Sequence, residues 1–209
     1  MKHLFFDLDG TLVDSSEGII NSFTQTFTEL KMEVPSLEVL KTFIGPPLEA
    51  SFSHFGDETF VETAVAAYRV YYKNFGITQA KLYDGILEML DYLANEGHRL
   101  YVATSKHEPM AIQMLSDFKI DNKFTAIFGS LNNDHKADIL TRGMKTCQIS
   151  PKRAIMIGDT HYDMIGGKSV GTKTIGVTWG FGSANQLLKS GADLLIDAPL
   201  DIIKSVETL

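Results

Sequence analysis

The sequence predicts an α/β protein, a doubly wound parallel sheet interrupted after its first strand by a helical insertion. Three observations predict this. From residue 83 onward, short apolar runs of strand length alternate with amphipathic stretches of helical period. The runs are apolar at consecutive positions, as in Leu4-Phe5-Phe6 and Ala154-Ile155-Met156-Ile157, which suits strands covered on both faces. Between the first run and the second, residues 15–80 carry helical periodicity and no strand signal.

Leu4, Phe5 and Phe6 form the first strand. Residues 16–31 follow as a helix, with Ile19, Ile20, Phe23, Phe27 and Leu30 on roughly one face. Ser15 or Ser16 stands where a cap is needed, and the acids near the start suit the helix dipole. Helices are expected around residues 37–43, 48–55 and 58–74, punctuated by Gly45-Pro46-Pro47 and Gly56-Asp57. The first of these breaks is a rigid, kinked loop; it either projects towards a site or is a plain interhelical turn. Residues 84–96 form the next helix, with Ile86, Leu87, Leu90 and Leu93 apolar and Gly97 ending it. Strands over residues 99–103, 125–128, 154–157 and 174–177 then alternate with helices over 109–118, 136–147 and 161–170, and residues 193–196 have the composition of a sixth strand. Repeated β–α units imply right-handed crossovers and a Rossmann-like core.

The chain has 209 residues, 44% hydrophobic and 22% charged, as expected of a soluble globular protein. A net charge of −7 argues against a nucleic-acid partner, because phosphate backbones bind basic surface. A small phosphorylated metabolite needs only a local positive pocket. Cys147 is the single cysteine, so no internal disulfide can form, and its expected role is packing within a helix. No apolar run is long enough to span a bilayer, and Met1-Lys2-His3 leads straight into the first strand without a signal-peptide pattern. A cytoplasmic protein is the default expectation, with oligomeric state open.

Four groups of residues stand at expected strand ends. The first is Asp7-Leu8-Asp9-Gly10-Thr11. Desolvating a carboxylate is costly, so a buried strand that ends in two acids implies a site. Side chains two apart on an extended segment share a side, so Asp7 and Asp9 can converge on one ligand at the carboxyl end of the sheet. Two acids this close favour divergent pKa values. The second group is Thr104-Ser105-Lys106: a hydroxyl at a strand end before a helix amino-terminus makes a phosphate site, or simply a helix cap. The third is Lys136, at the start of a helix, with Lys106 and Lys145 as competitors and a solvated surface lysine as the plainer reading. The fourth is Gly158-Asp159-Thr160-His161-Tyr162-Asp163. If a helix starts near Thr160, Asp159 and Asp163 face one crevice, and carboxylates with a backbone carbonyl and water suit Mg²⁺ rather than zinc. His161 is in position to touch that crevice. Trp179, Gly180 and Phe181 either rim it or pack beneath it.

The run Asp7-Leu8-Asp9-Gly10-Thr11-Leu12-Val13-Asp14-Ser15, followed in order by the other three groups, resembles the haloacid dehalogenase-like hydrolase superfamily. The branch it most resembles contains phosphoglycolate phosphatases and β-phosphoglucomutases. The likeness covers nearly the whole chain, although the insertion matches by pattern rather than by particular residues. It implies that Asp7 is the nucleophile that takes a phosphoryl group as an aspartyl-phosphate. Asp9 would protonate the leaving oxygen and then activate water. Thr104 and Ser105 would bind phosphoryl oxygens, and Lys136 would neutralise the nucleophile and the developing charge. Mg²⁺ would be held by Asp159, the Asp7 side chain and the Asp9 backbone carbonyl, with Asp163 orienting the site or reaching the metal through water. The family often places proline after the lysine, where this chain has Ala137. The resemblance divides the chain into a core of residues 1–14 and 81–209 and a helical cap of residues 15–80, which excludes water and selects the leaving group.

The leading reading is therefore a Mg²⁺-dependent phosphoric monoester hydrolase. A phosphoglucomutase-like enzyme uses the same four motifs and is the alternative. A catalytically idle binding protein on the same scaffold is expected to lack Asp7, Asp9 or Asp159, and none is missing. No arginine cluster marks the substrate, so phosphoglycolate, a sugar phosphate, a nucleoside monophosphate and pyrophosphate all remain open.

Overall fold

The computed structural model describes residues 1–131 and 134–209. The chain divides into two compact units, one of Met1–Val13 with Leu82–Leu209 and one of Asp14–Lys81. It crosses between them through two short strands that pair with each other, β2 (Val13–Asp14) and β3 (Lys81–Leu82).

The larger unit holds a six-stranded parallel sheet. Its strands are β1 (His3–Phe6), β4 (Arg99–His107), β5 (Ala126–Ser130), β6 (Ala154–Gly158), β7 (Lys173–Val177) and β8 (Leu194–Ile196), in the order β5-β4-β1-β6-β7-β8. The chain builds outward from β1 on one side through β4 and β5, then returns to the other side through β6. Such a reversal opens a crevice at the carboxyl ends of the two central strands. Register sets what meets there. Phe6 stands opposite Val102 of β4 and Ile157 of β6. Asp7, Thr104 and Asp159 therefore emerge within a residue or two of one level.

The apolar composition of β1 follows from its central place. Leu4, Phe5 and Phe6 are fully buried. Phe5 stacks on Tyr101 with ring centroids 4.7 Å apart and joins Met156, Ile139, Leu140 and Met144 in one core cluster, while Phe6 meets Phe124 at 6.5 Å. Each such ring contributes roughly 1.5–3 kcal/mol by leaving water. The helices of this unit are α5 (Ile86–Asn95), α6 (Glu108–Asp117), α7 (Lys136–Thr146), α8 (His161–Val170), α9 (Ala184–Lys189) and α10 (Asp201–Thr208). The smaller unit consists of α1 (Ser16–Glu29), α2 (Leu37–Lys41), α3 (Leu48–Phe52) and α4 (Glu58–Asn74). It has its own aromatic centre, where Phe23 lies 5.1 Å from Phe43, 5.1 Å from Phe52 and 4.8 Å from Tyr68. Among the described residues, no helix is long and apolar enough to cross a membrane.

Several local expectations need correction. The strand expected over residues 99–103 runs on to His107, with a register irregularity between Ala103 and His107. Ser15 is the residue before α1, but its hydroxyl makes no capping bond; Asp14 Oδ1 instead accepts from Ser16 N at 3.2 Å and Ser16 Oγ at 2.6 Å. The last two helices, α9 and α10, were not expected at all.

Candidate active site

The site grows from the two central strands. The Asp7 backbone N–H still donates to Ile157 O at 2.9 Å, so Asp7 remains tied to β6 just beyond β1. Its Oδ1 accepts from Leu8 N at 2.8 Å. Gly10 then turns the chain with φ +81, the left-handed region where a side chain is strained. A Cβ at Gly10 would lie 2.2 Å from Asp159 Oδ2, so the turn also needs the space.

Asp159 follows β6 and is fully buried. Thr11 Oγ1 donates to its Oδ1 at 2.9 Å and Phe181 N to its Oδ2 at 2.8 Å. Both donors are neutral. Asp163 lies in the first turn of α8 and reaches back to the helix start, where its Oδ2 accepts from Thr160 N at 2.9 Å and Thr160 Oγ1 at 2.8 Å. That capping role leaves Oδ1 facing inward.

Lys136 opens α7, whose start is fixed by a bond from His135 N to Asp138 Oδ2 at 3.1 Å. A cation at a helix amino-terminus opposes the dipole by about 0.3–1 kcal/mol, which points to another role for it. Lys136 is buried. Its ammonium donates to Ala103 O at 2.8 Å and pairs with Asp7 Oδ1 at 3.0 Å and Asp163 Oδ1 at 2.7 Å. The surface-lysine alternative is thereby excluded. Gly166 of α8 permits the approach, since a Cβ there would lie 2.7 Å from Lys136 Cβ.

Asp7, Asp159 and Asp163 each offer an oxygen within 4.8 Å of the others. Three carboxylates thus lie together, and the Lys136 ammonium pairs with two of them, Asp7 and Asp163. Burial pushes the Asp7 carboxyl up to about 7, with Lys136 opposing and the charge of Asp163 adding. Asp159 is held well above the usual carboxylate range by burial and then by Asp163 and Asp7. Burial opposes the charge on Lys136, but Asp163 and Asp7 prevail and hold its pKa above that of an ordinary lysine. An all-oxygen donor set with unbalanced buried negative charge fits a hard divalent cation such as Mg²⁺.

The like charge raising Asp7 is that of Asp163, and the Asp9 carboxylate pairs with Lys106 Nζ at 3.0 Å and 2.9 Å. Thr104 is buried beside this pair, and its Oγ1 accepts from Lys106 N at 3.2 Å. Because residues 104–107 stay extended and α6 begins at Glu108, Thr104 and Ser105 do not sit at a helix amino-terminus. Ser105 is half-buried in the same segment. Thr11 and the Phe181 amide were not singled out as Asp159 partners. The signal was present in the glycines: a Cβ at Gly180 would fall 2.3 Å from Asp159 Cβ, and one at Gly182 would fall 2.1 Å from Asp159 O. Trp179 Nε1 donates to Thr11 O at 3.0 Å, so this loop packs onto the acid turns. The His161 ring lies against Tyr162 with centroids 4.0 Å apart and planes tilted by 35°. Cys147 packs against the core cluster, and burial pushes its thiol up, consistent with a packing residue.

The sequence and the fold, a parallel sheet with a helical insertion, match known proteins. Residues 4–177 match the haloacid dehalogenase-like hydrolase family, and the chain belongs to it. A haloacid dehalogenase-like family hydrolase from Streptococcus pneumoniae superimposes with a TM-score of 0.93 at 40% identity, covering 98% of each chain. A 5′-nucleotidase of Pseudomonas aeruginosa is 37% identical over 190 residues, 88% of this chain and 86% of its own length. The tyrosine-protein kinase PtkA of Mycobacterium tuberculosis is 34% identical over 198 residues, 93% of this chain and 68% of its own.

Proposed function

We propose that this hydrolase is a Mg²⁺-dependent phosphatase that cleaves a small phosphomonoester through an aspartyl-phosphate on Asp7. The observation that carries this is the group of buried Asp7, Asp159 and Asp163 carboxylates, two of which, Asp7 and Asp163, pair with the ammonium of Lys136. So much buried negative charge is costly unless a cation completes the site. The relative named a 5′-nucleotidase supports a phosphate ester as the substrate.

In the proposed cycle an Asp7 oxygen attacks phosphorus while the ester P–O bond breaks. The leaving oxygen takes a proton from Asp9. Water then attacks the aspartyl-phosphate, returning a proton to Asp9, and the Asp7–phosphorus bond breaks to release phosphate. Lys136 keeps Asp7 oriented and its charge balanced throughout, and Thr104 and Ser105 offer hydroxyls to the phosphoryl oxygens. Asp7, Asp159 and the Asp9 backbone carbonyl would hold Mg²⁺, with Asp163 supporting from behind; the bound cation supplies charge neutralisation at the phosphoryl group. The insertion, Asp14–Lys81, is the proposed cap that chooses the leaving group.

Phosphate release from a panel of phosphomonoesters tests this directly. Turnover that needs Mg²⁺ and stops with EDTA is expected, and turnover indifferent to EDTA would overturn the metal site. Formation of glucose 6-phosphate from β-glucose 1-phosphate faster than release of free phosphate would favour a mutase instead.

A further inference from the structure

We propose that Lys106 is a positioning residue that fixes the plane of the Asp9 carboxylate for its acid–base role. The inference rests on the phosphatase reading and deepens it. The torsion that turns a carboxylate about its own axis is broad and two-fold, so a single contact leaves its plane loose. Lys106 contacts both Asp9 oxygens, Oδ1 at 3.0 Å and Oδ2 at 2.9 Å, across 97 residues of sequence. Both side chains are largely buried, at 9% and 16% exposure, so water competes poorly for this pair.

The other lysine of the site is committed elsewhere. Lys136 addresses Ala103 O, Asp7 and Asp163, which matches the three donors of an ammonium. The two lysines therefore divide the work, Lys136 serving the nucleophile and Lys106 serving the proton carrier.

The backbone that carries Lys106 is itself held. Lys106 N donates to Thr104 Oγ1 at 3.2 Å within the irregular part of β4. Next to it β5 approaches so closely that a Cβ on Gly129 would lie 2.7 Å from Lys106 O and 2.5 Å from Glu108 Cα. Glu108 Oε2 accepts from Gly129 N at 3.0 Å and from Arg142 at 3.0 Å, and Arg142 also donates to Gly129 O. This brace fixes the segment from which the Lys106 side chain reaches Asp9.

A double-mutant cycle between Lys106→Met and Asp9→Asn tests the proposal, using glycerol phosphate and p-nitrophenyl phosphate. The nitrophenolate leaves without a proton, so phosphoryl transfer from this ester stays measurable as a burst when Asp9 is changed. Misplacing a catalytic group by about an ångström can cost on the order of a hundredfold. Lys106→Met is therefore expected to lower kcat on glycerol phosphate by roughly 10–100-fold, and the nitrophenyl burst by less than about threefold. In the Asp9→Asn background the lysine change should cost less than about twofold, because it acts only through Asp9. Lys106→Arg, whose guanidinium can also span a carboxylate, should recover most of the loss. Equal losses with and without Asp9, or a loss confined to KM, would overturn the proposal; the first would mark a general structural role and the second a substrate contact. Turnover of neither ester by the wild type would sink the phosphatase reading and this inference with it. Turnover with an additive cycle would sink this inference alone.

Discussion

In the proposed cycle Asp7 meets two conflicting demands: burial, which favours a neutral carboxyl, and nucleophilic attack, which needs a carboxylate. Its pKa of about 7 in the folded protein, against 3.8 for a free aspartate, records that conflict. The folded value is raised, so the contribution of Asp7 to stability is fully present below about pH 3.8. It declines as pH rises and is lost through pH 7. In EDTA, wild type should therefore fall progressively below Asp7→Asn in melting temperature between about pH 4 and 7 and stay below it at pH 8. Thermal denaturation across that range checks this, and an Asp7→Asn variant that melts lower than wild type at pH 8 would contradict it. The same variant should retain its fold and lose at least about a thousandfold in phosphate release, because an amide is a poor nucleophile. Among the described residues, Asp159 faces neutral donors and two other acids. Mg²⁺ should therefore raise the melting temperature of wild type and leave Asp159→Ala unmoved. Equal Mg²⁺ stabilisation of both proteins would place the cation elsewhere.

At the scale of the element, each strand end delivers its side chain through a local device that extends one step beyond the strand. Gly10 turns β1 into the Asp9 segment, Asp163 caps α8 from within, and Gly166 lets α8 approach Lys136. Gly166→Ala should push the helix against Lys136 and cost about 1–3 kcal/mol in stability from overpacking, with a fall in kcat. Chemical denaturation and kinetics on the same sample check this; unchanged stability and rate would show that Lys136 gives way freely. Legibility followed the same boundary between local and distant causes. The apolar runs of β1 and β6 and the amphipathic period of α1 were readable because their burial leaves a mark on consecutive residues. The extension of β4 to His107 was not, because polar Thr104, Ser105 and Lys106 read as loop and their strand conformation depends on distant β5. The start of α9 was readable in principle, since Ser183 and Gln186 form a reciprocal cap, with Gln186 N donating to Ser183 Oγ at 3.3 Å. Of the site, the acids were legible from their cost at buried strand ends. Their partners were not, because Lys106 meets Asp9 and Thr11 meets Asp159 across 97 and 148 residues.

At the scale of the whole molecule, the protein joins a sheet-based unit that contains the acid cluster and Lys136 to a helical unit with an independent aromatic core. The motifs of the first unit identify the chemistry shared by the family. Under the proposed function substrate choice falls to the second unit, whose sequence shows no arginine cluster for a carboxylate or second phosphate. This explains why the reaction class was readable and the substrate was not. A group of buried acids demands particular residues, whereas a surface that selects a leaving group can be built in many ways. In the proposed cycle the phosphoryl group passes through a covalent bond to Asp7. Rapid quenching of wild type with Mg²⁺ and p-nitrophenyl phosphate, followed by borohydride reduction and peptide mass spectrometry, tests it most directly. The expected result is homoserine at position 7, formed from an aspartyl-phosphate and absent from Asp7→Asn. Full turnover with an unmodified Asp7, or a phosphoryl group trapped on another residue, would rule out Asp7 as the nucleophile.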